Sequence, residues 1–123
     1  MTINELIESI KQHSDYDKVG MILCHNGVVR STSREGRTVS GLRVKVDHKR
    51  LEAVLRENRN RPGIVDIVVH IEADRDLKVG DDVMLLAVAG DIRENVLKTM
   101  AETLNAIKTS VTHKTEFFTG TKD

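Results

Sequence analysis

Four cations carry the chemistry that this sequence offers: Arg30, Arg93, Lys108 and Lys114. The stretch HNGVVRSTSREGR, residues 25–37, runs an apolar β-like segment into Arg30 and then into a small, polar, glycine-containing loop. A guanidinium at the end of such a strand calls for something negative. Arg93 falls in the first turn of a helix, where unpaired N–H groups and the helix dipole disfavour a cation by roughly some tenths of a kcal/mol. A bound anion reverses that penalty. Lys108 stands at the end of the same helix and Lys114 on the strand that follows, two residues before Glu116. Each has an ordinary explanation as well: Arg93 pairing with Glu94 or Glu35, Lys108 favoured by the dipole, Lys114 paired with Glu116, Arg30 guarding an edge strand. One at a time they establish nothing; together they describe a local anion site.

The site has to be local, because 19 Lys plus Arg balance 19 Asp plus Glu and no global field draws the chain to nucleic acid or membrane. The basic stretch HKRLEAVLRENRNR suggests an RNA-binding face, but three aromatic residues in the whole chain leave little for base stacking. Metal and nucleophile motifs are missing: the histidines at 13, 25, 48, 70 and 113 form no H-x-x-x-H pair, and there is no Gly-rich phosphate loop or G-x-S-x-G elbow. No cofactor is expected. Cys24, alone inside GMILC, reads as a small buried hydrophobe. No run approaches the roughly 20 apolar residues of a membrane span, and MTINELIESIK carries acids where a secretory signal needs bases. The cytoplasm is the expected location.

The elements that must position these cations follow from spacing. Thr2 and Glu5 form a capping pair ahead of Ile3, Leu6, Ile7 and Ile10, predicting a helix over residues 3–14. Strands are predicted over 19–29 and 39–46, with STSREGR between them as a mobile turn. Asp47 caps a second helix reaching about residue 58, stopped by NRNRPG. Two more strands, 64–72 and 83–89, are joined by the charged loop ADRDLKVGD. Asp91 and Glu94 start a third helix whose stripe is Ile92, Val96, Leu97, Met100, Leu104 and Ile107, ending near Lys108. The last strand, VTHKTEFF, places Thr112, Lys114, Glu116 and Phe118 on one face. The order αββαββαβ, without regular strand–helix alternation, predicts a single α+β domain over residues 1–123 with a largely antiparallel sheet.

In order and spacing, GVVRSTSREGR, then KVGDDVMLLAVAGDIRENVLKTMAETLNAIK, then VTHKTE resemble the large, catalytic subunit of molybdopterin synthase, over roughly residues 19–118. The resemblance implies an α/β hammerhead-like fold and a homodimer within a heterotetramer. It implies a small ubiquitin-like partner whose C-terminal Gly-Gly thiocarboxylate enters the active site. Sulfur then passes to cyclic pyranopterin monophosphate. Lys108 and Lys114 match the family's two active-site lysines, and Glu116 its following acid. Arg30 with Val28 and Val29 before it, Arg93, and Thr115 with Glu116 are the substrate-binding residues so implied. Both reactants are anions, and a positive pocket is what would bring them together.

The chain departs from the family at definite places. HIEADRDLKVGD stands where a His-Arg pair precedes the GD turn, Ile92-Arg93 keeps only the arginine of a second His-Arg pair, and Thr112-His113 replace a Pro-x-Trp. The interval from Lys108 to Lys114 is one residue shorter. A non-catalytic pterin-, anion- or tail-binding relative on the same fold is therefore the alternative.

Overall fold

The computed structural model describes residues 1–119. Helix α1 (Ile3–Lys11) begins as its cap predicts, with the Thr2 hydroxyl accepting from the Glu5 amide at 3.1 Å. It ends short of residue 14, and a 3-10 turn, Tyr16–Lys18, leads into β1 (Met21–Val28). Then come β2 (Val39–Val46), α2 (His48–Arg59), β3 (Ile64–Ile71), β4 (Asp76–Lys78), β5 (Asp82–Gly90), α3 (Arg93–Ser110) and β6 (Thr112–Phe118). Asp47 caps α2 through the Arg50 amide at 3.0 Å.

The strands form two antiparallel three-stranded sheets, ordered β1-β5-β3 and β4-β2-β6. This is the mixed α+β, antiparallel architecture expected, with one strand more. Residues 76–78 lie in the segment read as a loop, yet they pair with Gly41–Arg43 of β2, and Leu77 is buried with Val29, Leu42 and Val44. Only glycine serves at position 41, since a Cβ there would collide with the Leu77 carbonyl oxygen. The element order is thus αββαβββαβ.

Sheet β1-β5-β3 is covered on both faces. Met21 and Leu23 look toward the large core made with α2 and α3, where Ile67, Leu86, Val88, Val96 and Ile107 are buried; Ile22 and Cys24 look toward Leu6 and Ile10 of α1. By period two, His25 continues the α3 side. Leu85, Ala87 and Ala89 of β5 face α1 while Leu86 and Val88 face α3, so β5 is the near-continuous apolar strand that a doubly covered sheet demands.

Helix α3 differs from expectation at both ends. Ile92, not Asp91, is the N-cap residue, and the helix runs past Lys108 to Ser110. Asp91 instead ties the junction together, its carboxylate accepting from the Ile92 amide and from Asn95 Nδ2 at 2.9 Å. Those hydrogen bonds, the one from Asn95 foremost, hold its carboxyl below the usual range. Val96, Met100 and Ile107 of the predicted stripe are buried, whereas Ile92 and Leu97 lie exposed. The helix sets up the site by direction: β5 ends at Gly90, opposite Met21 at the start of β1, and α3 returns alongside the sheet. Its last turn therefore arrives at the far end of β1. No helix among the described residues is long and apolar enough to cross a membrane.

Candidate active site

A cavity of about 760 Å³ lies between the two sheets, beneath the last turn of α3. Its floor is apolar, from Leu42 and Val44 of β2, Ile71 of β3 and Val83 of β5. Strand β6 supplies one wall. In its register with β2, Lys114 lies opposite Val44 and Glu116 opposite Leu42, so Thr112, Lys114 and Glu116 all point to the cavity. Lys114 Nζ is 3.8 Å from Glu116 Oε2.

Lys108 reaches the cavity from α3. Val111 Cα continues the helical turn and its amide bonds the Ile107 carbonyl at 3.0 Å, so α3 passes into β6 with almost no intervening chain. That tight junction absorbs the shortened interval between the lysines, because Lys114 still arrives on the cavity face.

The opposite wall is β1 and the turn after it. Val28 and Arg30 line the cavity, as do Gly27, Thr32 and Arg34. The turn expected to be mobile closes on itself: Thr32 bridges Thr38, the Ser33 amide donates to the Arg37 carbonyl at 2.9 Å, and the Arg37 amide donates to the Ser33 hydroxyl at 3.1 Å. Gly36, with φ +86°, makes the reversal possible. Arg37 is turned away and stacks over the Phe118 ring at 3.7 Å. Arg30 and Arg34 are left at the cavity.

His25 completes the site. It stands on the α3 side of β1 beside Gly27 and lines the cavity with Lys108. Burial, and then the Lys108 ammonium, push its imidazole below the ordinary 6.5. Its Nε2 is buried and has no hydrogen-bond partner among the described residues.

The structure thus gathers Arg30, Lys108, Lys114, Glu116 and Val28 of the sequence-predicted residues at one cavity. Three others lie elsewhere. Val29 is buried with Leu42, Val44 and Leu77, under the site rather than in it. Thr115 pairs with Arg43 on the opposite face of its sheet. Arg93 is exposed at the first turn of α3, and at about 1.5 Å rise per residue it stands roughly 22 Å from Lys108 along the helix axis. Sequence reading missed His25 and Arg34. The signal for His25 was its place two residues before Gly27 on an apolar face; for Arg34 it was only its closeness to Arg30.

Four cations against the single carboxylate of Glu116 make the lining strongly positive. Such a lining, on an apolar floor, can hold an anionic head with an extended or planar body. Among the described residues no group of three His, Cys, Asp or Glu side chains could hold a metal ion.

Comparison with known proteins bears on what that anion is. The family model described as MoaE protein matches residues 2–110 of the chain. The chain belongs to the MoaE family. Solved structures with the MoaE fold agree. Molybdopterin synthase from Staphylococcus aureus is similar with a TM-score of 0.71 at 20% identity, over 89% of this chain and 87% of that one. Molybdopterin cofactor biosynthesis protein E from Burkholderia multivorans gives 0.75 at 23% identity, over 94% and 80%. A complex of subunits 1 and 2 of the molybdopterin-converting factor from Helicobacter pylori gives 0.70 at 16% identity, over 100% and 87%. At these identities the structures speak for the fold. No curated protein matches the chain. Membership of the MoaE family, the large-subunit family of molybdopterin synthase, gives the chain a role in molybdenum cofactor biosynthesis.

Proposed function

We propose that the chain is the catalytic, sulfur-transferring subunit of a molybdopterin synthase, working as one domain in the cytoplasm. A small ubiquitin-like subunit presents a C-terminal Gly-Gly thiocarboxylate, and cyclic pyranopterin monophosphate accepts the sulfur. The observation that carries the reading is the convergence of Arg30, Lys108 and Lys114 on one cavity. Two negatively charged reactants repel one another in water, and cations on three separate elements offset that repulsion.

The chemistry divides among the residues by position. The thiocarboxylate sulfur bonds to a precursor carbon as that carbon's bond to oxygen breaks, the oxygen leaving with the opened cyclic phosphate or as water. Water then cleaves the acyl–sulfur bond, leaving a carboxylate on the tail and a thiol on the pterin. A dithiolene needs two sulfurs, hence two tails in succession. Lys108 and Lys114 stabilise the negative charge that develops at the acyl group and the attacked carbon, and Glu116 holds Lys114 in place. Arg30, with its planar fork, grips the phosphate or the tail.

Arg93 enters from a second copy. Standing at the far end of α3, it cannot serve the cavity of its own chain, but it can serve a neighbour's in a twofold dimer. The apolar side chains exposed around it, Ile92 and Leu97, suit such an interface. Two large and two small subunits then make the heterotetramer.

The purified chain, mixed with a thiocarboxylated small subunit and the cyclic precursor, is expected to form molybdopterin. The Thr112-His113 and Ile92 departures favour a second reading, a relative that binds these partners without turnover. Tight binding with no product would establish that one instead.

A further inference from the structure

His25 is a polar side chain at a place where the fold asks for none. Its strand neighbours on the same face, Met21 and Leu23, pack into the apolar core, and its partner across the ladder, Leu86, is fully buried. A buried polar nitrogen without a hydrogen bond costs about 1–3 kcal/mol. His25 Nε2 is such a nitrogen. A Cβ on Gly27 would stand 3.3 Å from this same atom, so the glycine leaves the ring its room.

The charges facing it are all on the cavity. Lys108 comes from α3, Lys114 and Glu116 from β6, and Arg30 and Arg34 from the turn after β1. Strand β2 contributes only Leu42 and Val44, β3 only Ile71, and β5 only Val83 and Met84. His113 pairs with Lys45 on the opposite face of its sheet, and His70, across from Leu85, is on the α1 side and hydrogen-bonds Glu72. The surroundings of His25 therefore hold four cations and one carboxylate. Burial, and then the Lys108 ammonium, favour the neutral ring, and an anion seated against Lys108 and Nε2 offsets the charge and gives the protonated ring a partner.

We propose that His25 is an anion-binding residue of this cavity, one that gains a proton as a negatively charged group enters. The inference rests on the cavity being an anion site, as the proposed function has it, and goes beyond it in naming a titrating residue and a linked proton. Charged imidazole has two N–H donors and no acceptor, which suits a carboxylate, thiocarboxylate or phosphate oxygen. Binding and proton uptake are then one event, and by reciprocity the cavity holds anions more tightly as pH falls.

Sulfate is the probe, because it does not itself titrate between pH 5.5 and 8. The imidazole C–H resonances of the full chain, assigned by comparison with His25→Asn, are followed over that range with and without sulfate, and sulfate affinity is measured in parallel. The expected result is an upward shift of the His25 titration in sulfate. Wild-type affinity strengthens toward low pH, with a ceiling of roughly tenfold per full unit of that shift. His25→Asn, which hydrogen-bonds but does not titrate, loses the pH dependence; His25→Gln serves if the asparagine variant fails to fold. Sulfate binding that leaves the His25 titration unmoved would overturn the inference and spare the anion site. No sulfate binding at all would overturn both.

Discussion

Lys114 and Glu116 stand two residues apart on the cavity face of β6, Nζ and Oε2 separated by 3.8 Å, and across the ladder they cover Val44 and Leu42. The pair is half exposed at the lysine, which caps its worth to stability: exposed pairs contribute about 0–1 kcal/mol. Its value lies in where it keeps the ammonium. Glu116→Gln should leave the melting temperature nearly unchanged while slowing sulfur transfer severalfold. A large fall in melting temperature with normal turnover would reverse that assignment.

Arg93 and Lys108 mark opposite ends of α3, so the proposed site draws them from different copies. Arg93→Ala and Lys108→Ala should each be inactive alone. Mixed and allowed to exchange subunits, they should regain activity approaching roughly a quarter of wild type, because half the dimers are mixed and each of those holds one intact site. Absence of recovery, with exchange verified by native mass spectrometry, would place both residues in one copy's function or remove Arg93 from the site.

The lowered imidazole of His25 has a sign that stability measurements can read. Its folded value lies below 6.5, so as pH falls through 6.5 the unfolded chain takes up the proton first. The stabilisation is complete above 6.5 and is lost as pH drops toward the folded value. The urea midpoint of the wild type should therefore decline across that window, and His25→Asn should flatten the decline. Asp91 and Glu72, whose carboxyls are also lowered, act at more acidic pH and leave this window clear.

Leu77 is 1% exposed and anchors a strand of three residues to the floor of the cavity. Leu77→Ala should cost about 2–5 kcal/mol, as buried leucine truncations do. Chemical denaturation gives the number. A cost near zero would mean that β4 contributes nothing to the second sheet.

Much of this was legible in the sequence where period and capping agree. Strand β6 lies where it was expected, and so the shared face of Lys114 and Glu116 follows from their two-residue spacing alone. The caps at Thr2 and Asp47 are where side-chain chemistry puts them. Strand β4 was hidden because three residues amid charges carry no periodicity, and only pairing with Gly41–Arg43 makes them a strand. Asp91 is a helix-start residue by type, but local hydrogen bonds from the Ile92 amide and the Asn95 side chain take its carboxylate, and Ile92 becomes the N-cap residue instead. His25 was hidden for a different reason. A lone histidine in an apolar strand reads as core until the arrival of Lys108 from α3 turns its end of the strand into a cavity wall.

The most direct test is single-turnover conversion of cyclic pyranopterin monophosphate by the chain and a thiocarboxylated small subunit, wild type against Lys108→Ala. Lys108 is exposed in the last turn of α3, so its loss should change stability by only some tenths of a kcal/mol, roughly the helix-dipole contribution. The wild type should form molybdopterin, and the variant should slow by about 100-fold or more, the scale of losing one transition-state charge partner. Wild-type rates from Lys108→Ala, or no product from the wild type with an active partner, would contradict the account.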